Sequence, residues 1–336
     1  MRLSFIIPAY NVSQFIPRCL ESILALPVEA GDIEIVVVDD CSTDNTREVV
    51  GRMAQQHSNI ILLCQSENHR QGAARNKGIE AASGDFVVFV DADDVVEDGV
   101  VAALNRAERE KLDICFYGIL HEGIDGSYRE VKWSMPSNTV VDGVTFLNEF
   151  LDMDINSVWR GVYRRNLIIE NHLSFVENVR WEDGDFCLNL YCCAKSIGNV
   201  NENGYIYKRN EQSTNFTQSY QTQIDRIRLG LRLIGFVDSN REKLNKGAEI
   251  VLDDVRYRYV HGVVRLRNLT KYSWKENVRI CNSLPNSEWI KLKPYAISNW
   301  ERLYLSHPGL ASAFLFFACP VAKAVRIVVS LFRNVG

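Results

Sequence analysis

Three short apolar runs in the first hundred residues each end in a polar cluster, and this recurrence narrows the folds open to the chain. Residues 3–7 lead into Pro8-Ala9-Tyr10-Asn11, residues 33–38 into Asp39-Asp40, and residues 86–90 into Asp91-Ala92-Asp93-Asp94. The run at 33–38 is continuous and rich in β-branched residues, the pattern of a parallel strand buried on both faces. Between the runs, Ile16, Leu20, Ile23 and Leu24 recur at helical spacing. Ser42-Thr43-Asp44 reads as a helix start, residues 60–63 as a further strand, and residues 72–82 as a helix of small residues. The β-α-β-α-β-α-β order predicts an α/β fold, a mostly parallel sheet flanked by helices. In such sheets ligands bind beyond the carboxyl ends of the strands, and the polar clusters collect there.

From about residue 113 the pattern changes to shorter strands and loops, and after about residue 220 it becomes long-helical and basic. From Val255 onward thirteen Lys and Arg face three Glu and no Asp, a local net of +10 within a chain of net charge −4. This asymmetry points to an anionic partner for the C-terminal part, nucleic acid or a membrane surface, or to a solvated basic face. The nine cysteines form no Cys-x-x-Cys pair, which suits neither a disulfide framework nor a zinc site and fits a reducing compartment. The opening residues do not read as a signal peptide, because Pro8 breaks a short apolar run.

Carboxylates at a strand end suit a hard divalent cation, with substrate phosphates completing its shell, or they cap the next helix. Convergence of three strand ends favours the cation for Asp91 and Asp93, and the cap for Asp94. The loop is not an EF-hand, whose fifth and sixth positions are here Val95 and Val96. A carboxylate of Asp39 or Asp40 suits a hydrogen bond from a base or ribose. Tyr10 is placed to stack on a base, or it is a partly buried loop aromatic. A Gly-x-Gly-x-x-Gly after the first strand and a Walker A sequence are both missing, which argues against a dinucleotide fold and a P-loop ATPase.

"FIIPAYN", "VVVDDCSTDNT", "GAARNKGIEAASGDFVVFVDADD" and "RWEDGDF" resemble the family 2 glycosyltransferases of the GT-A (nucleotide-diphospho-sugar transferase) fold over roughly the first 215 residues. The resemblance implies inverting transfer of a sugar from a nucleotide diphosphate, with Mn²⁺ or Mg²⁺ on the diphosphate. It implies that Pro8, Ala9 and Tyr10 line the base, that Asp39 and Asp40 lie beside it, and that Asp91 and Ala92 lie near ribose and metal. Asp93 becomes the direct metal ligand. Gly72 and Arg75 fall where a helix approaches the nucleotide, with Arg75 offering a cation to ribose or phosphate. Asp183 becomes the general base, with Glu182 beside it. Without the resemblance, the pattern favours Glu182, Asp183 and Asp185 as complements to a helix N-terminus. Cys41 stands where Asn or Gly is more usual, with little consequence expected. Lys208 and Arg209 are candidates to neutralise the leaving group.

The resulting organisation is a catalytic domain over residues 1–219, with a nucleotide-binding half to about 112 and an acceptor half beyond it. Residues 220–336 form a basic helical C-terminal extension. Its last stretch is apolar but broken by Pro320, Lys323 and Arg326, short of the ~20 residues a membrane span needs. Lys323, Arg326, Ser330 and Arg333 form one helical stripe, as in a membrane-interface helix or a core-packing one. The expected partners are a nucleotide-sugar donor, probed first as a UDP-sugar, and a glycan or polyprenyl-phosphate-linked acceptor. The expected location is cytoplasmic and peripheral at the inner face of the membrane, within bacterial surface-polysaccharide synthesis. No nucleic-acid partner is expected. The rivals are a metal-dependent nucleotidyltransferase and a nucleic-acid binder using the basic half.

Overall fold

Strands β1 (Leu3–Ala9), β2 (Ile33–Asp39), β3 (Ile60–Cys64) and β4 (Phe86–Phe89) form the parallel half of one sheet, in the order β3-β2-β1-β4. Every residue of β1, β2 and β4 is buried, as continuous apolar runs require of strands covered on both faces. The computed structural model describes residues 2–153, 157–208, 219–264, 272–308 and 310–311. Two units partition the chain, Met1–Phe216 and Thr217–Gly336.

The sequence reading closes the first strand at Pro8, and the structure does not. Pro8 lies within β1, in register with Val38. Backbone groups of β1 alternate sides: Ile6 O accepts from Val90 N at 3.0 Å, and Ala9 O accepts from Asp40 N at 2.8 Å. The missing N–H of Pro8 therefore faces the β4 side. The β1–β4 ladder has ended there at Ile6 and Phe89, so no strand bond is lost.

The second half of the sheet continues as β8-β6-β9-β5, with β7 on β6. These are β5 (Val95–Val96), β6 (Ile114–Glu122), β7 (Tyr128–Val131), β8 (Gly161–Arg164) and β9 (Ile197–Lys208). β8 runs antiparallel between β4 and β6, whereas β6 and β9 are parallel. The sheet is thus parallel up to β4 and mixed beyond it. A four-residue strand carrying Arg164 has too little apolar pattern to be read from sequence.

Helices α1 (Ile16–Leu24), α2 (Thr46–Gln56), α3 (Arg70–Ala81) and α4 (Gly99–Arg109) cross between the early strands. Helices α5 (Gly143–Glu149), α6 (Arg165–Glu170) and α7 (Glu182–Cys193) follow. Ile16, Cys19, Leu20 and Ile23 form the buried stripe of α1, at the spacing of one helix face. Each fully buried aliphatic side chain there contributes about 1.5–3 kcal/mol. Across the sheet, Phe89 meets Phe175 and Phe186 edge to face, at centroid distances of 5.3 and 5.9 Å. Helix α2 begins at Thr46 rather than at residue 42. Asp44 instead holds Thr46 N at 3.0 Å and Ser13 N at 3.1 Å, tying the loops after β1 and β2 together.

The second unit is helical. α8 (Tyr220–Ser239) opens on a capping box between Ser219 and Thr222. α9 (Lys246–Asp254) runs on into a π-helical turn, Val255–His261. Buried Glu301 accepts from Ile297 N at 2.7 Å and meets His261 Nδ1 at 2.6 Å. Residues 209–216 and the Lys323–Arg333 stripe lie outside the described residues.

At the sheet's opposite end from the polar clusters, Glu34 of β2 is 2% exposed. It accepts from Ser4 Oγ and Ser83 N, from Ser83 Oγ at 2.9 Å and from Gly84 N at 3.1 Å. Burial alone raises its pKa, but the Ser4 and Ser83 hydrogen bonds outweigh this and hold it below the usual carboxylate value. Its stabilisation is therefore complete at neutral pH and is lost as pH falls through the folded-state pKa. Glu34→Ala should lower stability by about 3 kcal/mol, because several buried donors lose their acceptor. Urea unfolding at neutral pH checks the loss, and the mutant's deficit should shrink at acid pH.

Candidate active site

The rim beyond β1 and β2 is built from loops in left-handed conformation. Asn11 has φ 53° and Cys41 φ 63°. Asn11 Oδ1 accepts from Thr43 N at 2.8 Å and Asp44 N at 3.3 Å, and its own amide donates to Ser42 Oγ at 3.0 Å. Asn tolerates this conformation through such local bonds. Cys41 does not, so the departure from Asn or Gly at this position has a conformational cost that sequence reading underrates. Pro8 and Ala9 lie buried beneath the rim, and Tyr10 is 46% exposed upon it, the situation of a ring available for stacking.

Asp39 and Asp40 are both buried and face different partners. Asp39 Oδ2 binds Arg47 Nε and accepts from Ser42 N at 3.1 Å. Its Oδ1 has no hydrogen-bond partner among the described residues. Asp40 Oδ1 accepts from Gln65 Nε2 and His69 N, both at 2.8 Å. Asp40 thereby satisfies an orphan amide at the start of α3. Burial pushes its carboxyl above the usual value.

The carboxylates after β4 diverge in role. Asp94 is buried and does not cap α4, contrary to the sequence expectation. It accepts from Tyr205 Oη and Lys208 N, both at 2.8 Å, and so ties β9 to the end of β4. Tyr205 Oη in turn accepts from Asp91 N at 3.0 Å. Burial, then Asp93 and Asp91, push Asp94 well above the usual carboxylate range. Asp93 is half-buried and Ala92 buried. Asp91 Oδ1 accepts from Arg75 Nη2 at 2.7 Å.

Arg75 is not an open cation for a phosphate. It is 2% exposed on α3, and its second partner is Glu182 Oε1, at the first residue of α7. The Phe175 ring lies 5.4 Å from its guanidinium. Gly72 has a matching correction. A Cβ there would stand 2.4 Å from Val176 O and 3.2 Å from Glu182 Cγ. The missing side chain brings α3 against the segment leading into α7. Glu182 is buried and occupied by Arg75, so it is not an accessible base. Burial pushes it up to about 7, against the pull of Arg75 and with help from Asp183. Asp183 is half-buried, and burial raises its pKa while Arg75 lowers it. Trp181, just before α7, has φ 63°, a further left-handed residue at this rim.

Asp91, Glu182 and Asp183 thus act on one buried guanidinium, and Asp93 and Asp94 stand beside Asp91. No group of three or more His, Cys, Asp or Glu among the described residues is arranged to hold a metal unaided. The donor set at Asp91 and Asp93 still fits a hard divalent cation, which commonly takes one or two carboxylates and completes its shell from substrate phosphate. The residues proposed from sequence for nucleotide, metal and proton transfer lie in the first unit. Two participants escape sequence reading: Tyr205, which links Asp91 to Asp94, and Gln65, which holds Asp40. Both sit in apolar or loop stretches where a single polar atom leaves no pattern. Lys208 Nζ lies 3.6 Å from Glu122, and Arg209 is outside the described residues.

Comparison with known proteins is consistent across sequence and structure. The glycosyltransferase EpsJ of Bacillus subtilis, described as uncharacterized, is 33% identical over 217 residues, 63% of this chain and 62% of EpsJ. The poly(ribitol-phosphate) β-N-acetylglucosaminyltransferase TarS of Staphylococcus aureus is 28% identical over 227 residues, 67% of this chain and 38% of TarS. The chain therefore spans less than two thirds of the length of these relatives. The crystal structure of TarS residues 1–349 with UDP-GlcNAc matches at a TM-score of 0.66 and 21% identity, covering 96% of this chain and 92% of that one. The mannosyltransferase PcManGT of Pyrobaculum calidifontis, solved with GDP-Man and Mn²⁺, matches at 0.53 and 18%, covering 95% and 86%. These likenesses establish the GT-A fold. The family model for "Glycosyl transferase family 2" matches residues 4–168, ending before α7. Over that span, just under half of the chain, which carries the whole β1, β2 and β4 rim, the sequence matches glycosyl transferase family 2.

Proposed function

We propose that the protein is an inverting glycosyltransferase that moves a sugar from a nucleoside diphosphate, UDP in the first instance, to a hydroxyl of a glycan or polyprenyl-phosphate-linked acceptor. The observation that carries this reading is the meeting of Asp91, at the end of β4, with the start of α7 through Arg75. It brings the Asp91 and Asp183 carboxylates to one rim. TarS with UDP-GlcNAc and PcManGT with GDP-Man and Mn²⁺ share the fold, which supports a nucleotide-sugar donor and a divalent metal.

Tyr10 offers a face to the base, with Asp39 and Asp40 beneath it. Asp91 and Asp93 would hold Mn²⁺ or Mg²⁺, which supplies positive charge to the diphosphate. Asp183 takes the proton of the acceptor hydroxyl as its oxygen bonds to the anomeric carbon. The bond from that carbon to the diphosphate oxygen breaks, and the electron pair leaves with the nucleoside diphosphate. A raised pKa makes Asp183 a stronger base than an exposed carboxylate. Only its ionised form can act, so the rate falls as pH drops through that raised value.

The same reading places the enzyme in surface-polysaccharide synthesis, at the inner face of the membrane. No helix among the described residues is long and apolar enough to cross a membrane. Support for surface attachment comes from the basic composition after Val255 and the sequence stripe Lys323–Arg333.

Two tests follow from this division of labour. Asp93→Asn should weaken Mn²⁺-dependent UDP binding in calorimetry, whereas Asp183→Asn should keep UDP binding and lose about 10²–10⁴-fold in transfer. Unchanged UDP affinity in the first, or transfer within a few-fold of wild type in the second, removes the corresponding role. For the membrane reading, vesicle flotation should show the full chain bound to anionic vesicles and largely released by salt plus deletion from residue 309. Equal flotation with and without the tail contradicts it.

A further inference from the structure

Beside the acidic rim stands an aromatic assembly that the catalytic scheme leaves unused. Trp159 stacks on Tyr205 at 4.8 Å and 11°, and on Tyr207 at 5.5 Å and 13°. His121 lies against Tyr207 at 5.2 Å. Tyr205 is fully buried, and it is the residue whose hydroxyl holds Asp91 N and Asp94 Oδ2. The assembly is thereby fixed to the end of β4. Elsewhere in this unit stacked aromatic pairs are sealed: Phe175 with Phe186 and Phe116 with Trp133 are all buried. Trp159, Tyr207 and His121 are only half-buried.

Flat, half-buried aromatic rings match one ligand chemistry closely. A pyranose ring has an apolar C–H face of indole size and a girdle of hydroxyls. The C–H face suits the negative face of an aromatic ring, and the hydroxyls suit charged donors and acceptors.

We propose that Trp159 and Tyr207 form a pyranose-stacking subsite, with His121 at its edge. This rests on the glycosyltransferase reading for its place beside the donor, and it adds a binding surface which that reading does not supply. The ring it takes is either that of the donor sugar or that of the acceptor. Both present the same C–H face.

Saturation-transfer NMR on the full chain tests it, with methyl β-glucopyranoside and methyl N-acetyl-β-glucosaminide as probes, with and without UDP and Mn²⁺. Calorimetry with UDP and UDP-GlcNAc runs alongside. An acceptor subsite gives saturation of the axial ring protons in the UDP-loaded protein, reduced about tenfold by Trp159→Ala or Tyr207→Ala and largely kept in Trp159→Phe. A donor subsite gives weaker binding of UDP-GlcNAc in the Ala variants, with UDP unchanged. Either result supports the proposal. If UDP affinity falls in step with sugar binding in all three variants, the rings only brace the Asp91 loop, and the proposal is overturned. It is also overturned if no probe and no UDP-GlcNAc preference responds to any variant. Should wild type bind no UDP at all, the donor reading fails instead, and the probe titration of the unloaded protein still decides the subsite.

Discussion

The bridge from Arg75 to Asp91 and Glu182 is the contact on which the rest of the rim depends. A guanidinium that is 2% exposed has no water to solvate it, so its partners must be anionic and fixed. One partner closes β4 and the other opens α7, 107 residues from Arg75 in sequence. Removing either carboxylate leaves a buried charge uncompensated, at a cost of about 3–5 kcal/mol. Gly72, three residues earlier on α3 and so on the same helix face, lets the helix come close enough for the bridge to form. Glycine and arginine together set the distance between the Asp91 and Asp183 segments.

Around this bridge the chain accepts backbone strain. Asn11, Cys41, Arg70 and Trp181 all have positive φ, and each stands at the end of a strand or the start of a helix facing the rim. A side chain in that region costs roughly 1–2 kcal/mol. Such strain persists where surrounding contacts over-determine the backbone. Asn11 is held by Thr43 and Asp44, and the amides beside Arg70 are held by Asp40. Among the described residues, Lys111, His172 and Asn178 also have positive φ, so strain is shared between the rim and other turns.

Much of this was legible in sequence where the signal was local. The runs ending at Pro8, Asp39 and Asp91 carry both the buried strands and the carboxylates within a few residues of one another, so order and rim could be read together. What was hidden was pairwise and distant. Nothing near Arg75 shows that its charge is spent on Glu182, and nothing near Asp94 shows that Tyr205 and Lys208 claim it. Gly72 was legible as a close approach, but not as an approach to Val176. Pro8 reads as a strand end by propensity, and only the early divergence of β4 lets it stay inside. The short β8 went unseen because four residues with one arginine carry no period.

The central claim is that Arg75 acts by joining two protein carboxylates across the rim. A double-mutant cycle on Arg75 and Glu182, read by urea unfolding, tests it most directly. Arg75→Met and Glu182→Leu should each destabilise the protein. The double variant should recover stability relative to Arg75→Met, with a coupling of about 3 kcal/mol. Simple addition of the two losses would contradict the account.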